Sequence, residues 1–388
     1  MDKKKKLFLL ITTPFYFNTM LIGQPCFMQQ YYDVTLICSD KERLEEIRIT
    51  EGVKTYCVEL KTRITLLKDM KALWKLYQYF REEKPDIVHA HTLKAGLIGM
   101  LAACLAKVPH RLYTVAEMPL IETCGMKRRI LNYAEKFTFQ CACRVYPNST
   151  GLYEFIEKNR FGQKQKLKVI GNGSSNGIDT SYFSPAFYSH EEKEKIKNEI
   201  KIPTNAFVFC FIGHLVKNKG INKLVHAFTE INRTYLYARL LLVSLCEGKL
   251  NSLLSETKKE IQNNPNIISV GFQSDVRPYL AISDVFVFPS YCKSFPNIVM
   301  QAGAMELPCI VTDINGCNEI IEDSVNGLTI PLKNKEQLKE KMLLLLKNSD
   351  LRNRLKQNAR RMITSRYEQK MFWEALLEEY KNLENTTI

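Results

Sequence analysis

The chain has 388 residues, 45% of them apolar and 25% charged, with a net charge of +14. That length fits two domains of ordinary size, and the composition is that of a folded rather than a disordered chain. No run reaches the roughly 18 apolar residues that span a bilayer; the most apolar stretch, Gly96–Ala106, stops at Lys107 and Pro109.

At the N-terminus Lys3–Lys6 precede the apolar run Leu7–Ile11. The pair superficially resembles a secretion leader, but Thr12, Thr13 and Pro14 interrupt it without a small-residue cleavage site, which predicts a first buried strand instead. The 12 cysteines form no C-x-x-C pair, and Cys141 and Cys143 are only two apart. Their scatter through apolar segments predicts reduced core thiols in a cytoplasmic protein and no metal site. Residues 1–190 carry 28 Lys and Arg against 18 Asp and Glu, and the remainder 27 against 23, so the first half is the basic half. Such a field favours an anionic partner, a membrane surface or a diphosphate, or is simply a solvated face. No RNP pattern, zinc finger or basic zipper is present, so nucleic acid is not an expected partner.

Expected strands, in chain order, are Leu7–Ile11, Val34–Cys38, Ile87–His89, Arg111–Val115, Arg144–Tyr146 and Lys168–Ile170. A second series follows at Phe207–Ile212, Leu240–Val243, Ile267–Val270, Val285–Phe288, Cys309–Thr312 and Gly327–Ile330. Helical patterns alternate with them. In one, Leu66, Met70, Leu73, Trp74, Tyr77 and Phe80 recur at three- and four-residue spacing and form one apolar face, which reads Trp74 as core. In the last, Phe372–Leu383, one face carries Trp373, Leu376, Leu377 and Tyr380. Alternating strand and helix predicts parallel sheets covered on both faces, so the fold class is α/β with two doubly wound domains. The Gly-rich break at Gly171–Gly177 and the charged stretch up to Pro203 place the connection across 171–203.

Three segments suit anion binding. Phe211–Gly220 runs from a strand end through Gly213, His214 and Lys219 to a helix start near Ile221, where amides and an ammonium make a phosphate cradle. Pro289–Ala304 repeats the strand–loop–helix order, with Ser294–Asn297 presenting amides and Gln301 in the first turns. Leu307–Glu319 supplies another strand and turn. In the first half, His89 and His91 are read as pointing to opposite faces of a strand end, with His91 nearer the loop. Lys3–Lys6, Lys127, Arg128, Arg129, Lys158, Arg160, Lys164, Lys166 and Lys168 form either a dock for anionic lipid or a solvated face.

The order and spacing of these segments, together with Asn172–Asp179, Val88–Gly96, Tyr113–Ala116 and Asn326-Gly327, resemble the family 4 retaining glycosyltransferases. The likeness is to the bacterial branch that builds capsule, O-antigen or lipid-linked oligosaccharide, and it covers nearly the whole chain. It implies the GT-B fold, two Rossmann-like domains facing a central cleft. Residues 1–185 would bind acceptor and 200–367 donor, with helix 368–388 packing back on the first domain. It implies a nucleotide-sugar donor, expected to be UDP-linked, and a sugar on a polyprenyl diphosphate as acceptor. The protein is then expected to be cytoplasmic or peripheral on the membrane's inner face. No metal or other cofactor is implied. By resemblance the donor site comprises Gly213, His214, Lys219, Ser294, Phe295, Pro296, Asn297, Ile298 and Gln301. The acceptor site comprises Thr13, Gly23, Gln24, His91 and Lys94, and the catalytic set is Lys219, Lys293 and His91.

The chain departs from the family pattern. Lys293 and Gln301 stand where two glutamates are usual, His214 where an arginine is common, and Ser294 for a glycine. Ala116 and Glu117 stand where many relatives carry an active-site histidine. An ammonium at 293 only donates hydrogen bonds, so it would serve the diphosphate rather than sugar hydroxyls. A catalytically silent nucleotide-sugar-binding or scaffold protein and a GT-B-like epimerase remain as alternatives.

Overall fold

Parallel strands covered on both faces are unbroken apolar runs, and Leu7–Leu10 and Phe207–Ile212 are buried along their whole length. They are the inner strands of two sheets in a computed structural model that describes residues 4–60, 65–116, 118, 123, 125–244, 253–292 and 295–385. Two units result: residues 1–177 with 369–388, and residues 178–368.

The first unit runs β1 (Lys6–Leu10), α1 (Pro14–Met20), α2 (Gln24–Met28), β2 (Asp33–Cys38), α3 (Lys41–Glu51) and β3 (Lys54–Cys57). It continues with α4 (Leu66–Glu83), β4 (Ile87–Ala90), α5 (Leu93–Leu105), β5 (His110–Val115), α6 (Gly125–Cys141), β6 (Arg144–Pro147) and α7 (Thr150–Lys158). The second runs α8 (His190–Glu199), β7 (Phe207–Ile212), α9 (Ile221–Asn232), β8 (Ala238–Ser244), α10 (Ser255–Asn263), β9 (Ile267–Phe272) and α11 (Arg277–Ala281). Then come β10 (Val285–Phe288), α12 (Asn297–Ala304), β11 (Cys309–Thr312), α13 (Cys317–Ile320), β12 (Gly327–Ile330), α14 (Lys335–Lys347) and α15 (Ser349–Tyr367). The last helix, α16 (Gln369–Asn385), belongs to the first unit.

Both sheets are parallel and have the same order, β3-β2-β1-β4-β5-β6 and β9-β8-β7-β10-β11-β12. Chain order therefore reverses between β1 and β4 and between β7 and β10, and such reversals open a crevice at the carboxyl ends of the strands.

All six expected strands of the second sheet are present. In the first, β3 replaces Lys168–Ile170, which is not a strand. The Lys168 amide donates to the carbonyl of Val145 at 3.1 Å, and an isolated bridge joins Val145 to Leu167, but no ladder forms. β3 is an edge strand of four partly exposed residues, Lys-Thr-Tyr-Cys, too short and polar to show alternation.

The sheet of the first unit separates two cores. One lies under α4–α7 and includes Phe8, Leu76, Phe80, Ile98 and Phe139. The other lies under α1–α3 and α16, where Phe372, Leu376, Leu377, Tyr380 and Leu383 are buried. α5 sits close on β5 because Gly96 has no side chain: a Cβ there would lie 2.4 Å from the Tyr113 ring. On α4 the residues that reach the core are Ala72, Leu76 and Phe80. Leu66, Met70 and Trp74, expected on that face, are exposed, Trp74 by 60%. Spacing marked an apolar stripe, but the sheet took the stripe about 100° or more around the helix.

Residues 178–185, assigned above to the first domain, lie in the second unit. The Ile178 amide donates to the carbonyl of Tyr367 at 2.8 Å, and the Arg360 guanidinium donates to the carbonyls of Thr180 and Phe183, each at 2.8 Å.

α6 buries an acid. Glu135 is fully enclosed, with the Tyr113 hydroxyl donating to it at 3.4 Å and its Oε1 unpartnered. Burial pushes its carboxyl up to about 8 from an ordinary 4.5. The unfolded chain ionises at the ordinary value while the folded one holds its proton to about 8, so this group subtracts stability as pH rises through that window. The Glu135→Gln variant should therefore gain on the parent between pH 5 and 8, by up to about 1.4 kcal/mol per pH unit, in urea denaturation series at several pH values.

Candidate functional site

In the second unit the loops that follow β7 and β10 are stitched together. The Gly213 amide still belongs to the sheet, donating to the Val243 carbonyl at 3.0 Å. The chain then turns through His214 and reaches the start of α9 at Gly220, whose φ is +79°. The Tyr291 amide donates to the Asn218 carbonyl at 2.8 Å. A Cβ on Gly220 would lie 2.1 Å from the carbonyl oxygen of Pro289, so only glycine lets the two loops approach this closely.

Lys219 stands in that junction, half-buried, its Nζ 5.7 Å from the centre of the Phe288 ring. Among the described residues no carboxylate pairs with it. His214 is half-buried beside it. Burial first, and then the Lys219 ammonium, hold its imidazole below the ordinary range. His214 is therefore neutral at pH 7, where an arginine would have brought a second fixed charge.

α12 opens behind buried Phe295 and Pro296, and its N-cap residue, Pro296, offers no side-chain cap. First-turn amides of such a helix point outward and favour an anion. Asn297 and Gln301 are partly exposed, while Ile298 is buried in the core. Lys293 and Ser294 lie outside the described residues. The turn after β11 is fixed from below: the Glu319 carbonyl accepts from Arg366 at 2.7 Å and from the Tyr367 hydroxyl at 2.8 Å. The side chain of Asn326 spans the next bend, donating to the Ile320 carbonyl and accepting from the Glu322 amide.

In the first unit the corresponding loops follow β1 and β4. Thr13 precedes α1, and Gly23, at φ +79°, precedes α2. Glu51 of α3 accepts from the amides of Gly23 at 2.9 Å and Cys26 at 3.1 Å, and burial raises its carboxyl above the ordinary range against those bonds. Gln24 is fully buried; its Nε2 lies 3.5 Å from the Asn176 Oδ1, and its Oε1 has no partner. Asn176 also accepts from the Trp373 indole at 2.7 Å and donates to the Ile22 carbonyl at 3.0 Å. Glu51 and Asn176 thus shape the loop. No motif signals Glu51, because its role comes from a contact across 28 residues.

His89 and His91 do not point to opposite faces. Their rings meet with centroids 4.0 Å apart, tilted by 32°, since residues two apart on a strand share a face. His89 is tied at both nitrogens, to the Tyr380 hydroxyl at 2.6 Å and to Thr114 Oγ1 at 2.8 Å. His91 is equally buried, yet among the described residues neither of its nitrogens has a partner. It lines a small pocket with Thr114, Tyr146, Ser174 and Ser175, about 10 Å³ for a water's centre, which is room for one water. Burial pushes its imidazole down to about 3. A neutral ring with one donor and one acceptor suits hydroxyls rather than a diphosphate. Lys94 pairs with Asp69 of α4, both side chains mostly buried. Its ammonium fastens the start of α5 to the first turn of α4.

The comparisons agree with this layout. A family model for group 1 glycosyl transferases matches residues 192–362, and one for the glycosyl transferase 4-like domain matches residues 26–173. The capsular polysaccharide biosynthesis glycosyltransferase CapM of Staphylococcus aureus is 30% identical over 375 residues, 96% of each chain. The UDP-Gal:alpha-D-GlcNAc-diphosphoundecaprenol alpha-1,3-galactosyltransferase of Escherichia coli is 31% identical over 78% of this chain and 77% of its own. Among solved structures, a glycosyltransferase from Rickettsia africae superposes with a TM-score of 0.83 over all of both chains at 18% identity, which shows the shared GT-B fold.

The loop junction has a simple test. Gly220→Ala should lower the stability of the protein by about 2 kcal/mol or more, because it adds both a clash and a left-handed alanine. Chemical denaturation checks this; an unchanged midpoint would mean that the two loops are free to part.

Proposed function

This chain is a member of the group 1, family 4-like glycosyltransferases, and from that premise we propose its reaction. It moves a sugar from a UDP-linked donor, held by the second unit, to a sugar on a polyprenyl diphosphate carrier that meets the first unit. The product keeps the donor's anomeric configuration, and the pathway is that of a cell-surface polysaccharide. The Escherichia coli relative's name specifies a UDP-sugar and a diphosphoundecaprenol-linked acceptor, and supports this choice. The observation that carries the reading is Lys219: a half-buried ammonium without a carboxylate partner among the described residues, just before the start of α9 and 5.7 Å from the ring of Phe288 at the end of β10.

Transfer then depends on stabilising the departing diphosphate and on holding the reacting groups in place. Lys219 supplies charge, Gly213 lets the chain turn beside the diphosphate, and the N–H groups of Phe295, Asn297 and Ile298 supply dipoles. Lys293 and Ser294 belong to the same loop by sequence. With His214 neutral, Lys293 serves as the second cation. Gln301 meets ribose hydroxyls through its amide. His91, with Thr13, Gly23 and Gln24, meets acceptor hydroxyls. Lys94 supports that site from its pair with Asp69. Work of this kind takes place at the inner face of the cytoplasmic membrane, where the carrier resides.

A screen of nucleotide-sugar donors against lipid-linked acceptors, read by mass and by the product's anomeric NMR signal, tests the reaction. Lys219→Ala should lower kcat by about 100- to 1,000-fold. Donor binding without turnover across the whole panel would instead favour a silent donor-binding protein. So would a Lys293→Glu variant that transfers sugar where the parent does not.

Lys219, Lys293 and helix termini provide the neutralising charge, and the described residues contain no cluster of three or more His, Cys, Asp or Glu able to hold a metal. Exhaustive chelation should therefore leave the transfer rate within about twofold of the untreated enzyme, and a larger loss restored by a divalent cation would refute this part of the scheme.

A further inference from the structure

We propose that the amino-terminal halves of α4 and α6 form a docking face for an anionic lipid bilayer. In purpose this rests on the lipid-carried acceptor proposed above; its physical argument is separate.

Both helices pack against α5 on one side of the first sheet. Both begin past the carboxyl ends of their strands, the edge at which His91, Thr13 and Gly23 lie. Each turns an apolar stripe away from the protein. On α4 the stripe is Leu66, Leu67, Met70 and Trp74, with Leu67 82% exposed. On α6 it is Met126, Ile130, Tyr133 and Phe137, spaced by four, three and four residues, with Met126 74% and Tyr133 76% exposed. Side chains of this size rarely stand in such rows on a surface that meets only water.

Cations accompany both stripes: Lys68, Lys71 and Lys75 on α4, of which Lys68 pairs with Glu59 at 2.8 Å and Lys75 donates to the Cys57 carbonyl at 2.9 Å, and Lys127, Arg128, Arg129 and Lys136 on α6. The one acid on α6, Glu135, is enclosed in the core, and on α4 Asp69 is engaged by Lys94. Protein–protein interface cores are depleted of lysine. Apolar rows bordered by Lys and Arg are instead the pattern of helices that lie in the headgroup layer of anionic membranes.

Several other basic groups of this unit are engaged within it. Lys168 pairs with Glu379, Lys164 with Glu157, Lys5 with Glu384 and Lys6 with Glu83, while Lys166 donates to the carbonyls of Phe139, Gln140 and Ala142. With Lys68 and Lys75 engaged as well, the charge of the docking face rests on Lys71 of α4 and on Lys127, Arg128 and Arg129 of α6.

The test uses the full chain and vesicles of phosphatidylcholine with and without phosphatidylglycerol. The parent should sediment with the anionic vesicles, less so at high salt, and brominated lipid should quench Trp74. A Lys127→Glu/Arg129→Glu variant should lose about fivefold per cation, and a Leu67→Ser/Met70→Ser/Ile130→Ser/Tyr133→Ser variant at least about tenfold. Both should keep the parent's thermal midpoint and its transfer to a water-soluble short-chain acceptor. Vesicle binding through this face in a chain that uses no acceptor would uphold the docking face while the transfer reading fails. Three results overturn the proposal: no binding of the parent to anionic vesicles, equal binding by parent and variants, or a self-association of the chain that the variants abolish while vesicles are ignored.

Discussion

A parallel strand buried on both faces offers the solvent only its ends, and this constraint organises everything functional in the chain. Each sheet reverses its order at one place, between β1 and β4 in the first unit and between β7 and β10 in the second. At such a reversal the neighbouring connections leave to opposite sides, and a crevice is left at the carboxyl edge. Thr13, Gly23, Gln24, His91 and Lys94 occupy the loops at the first reversal. Gly213, His214, Lys219 and Phe295–Gln301 occupy those at the second. What distinguishes the two places is chemistry rather than topology.

The second unit concentrates positive charge on a stiff frame. Gly220 against Pro289 and Tyr291 against Asn218 hold the two loops together, so Lys219 is presented by backbone that has little room to relax. Burial first, and then the closeness of Lys219, hold the imidazole of His214 below the ordinary range. The first unit is the opposite case. His89 and His91 are in contact, buried and neutral, and Lys94 is paired with Asp69. The groups that line the pocket beside His91 are therefore uncharged, and neutral donors and acceptors of this kind suit hydroxyls.

Much of this was legible in the order of residues. Long aromatic and aliphatic runs marked all six strands of the second sheet, because a strand in the middle of an α/β sheet has no polar face. The glycine at 220 and the lysine beside it stood out for the same reason: a strand end, a turn and a helix start follow one another within ten residues. β3 was missed because an edge strand needs neither length nor alternation. Lys168–Ile170 was expected as a strand because it is apolar enough for one, but one amide bond to Val145 is all the pairing it finds. The histidine pair was misread by a period error, since strand side chains repeat every two residues.

Periodicity, strand ends and glycine-bounded turns are local, so the sequence by itself determined the α/β class, most of the two series of strands and the strand–loop–helix segments around Gly220 and Asn297. Tertiary structure decided what depends on contacts between distant residues. It alone placed Glu51 under Gly23 and Asn176 between Gln24 and Trp373. It alone lowered His91 to about 3, since the shift comes from burial and not from any neighbour in the chain. It also decided which side of α4 meets the sheet. The apolar stripe there was visible from its spacing, but a stripe says only that residues share a face; whether that face meets a core or is left for something outside the protein is settled by the neighbours that cover it.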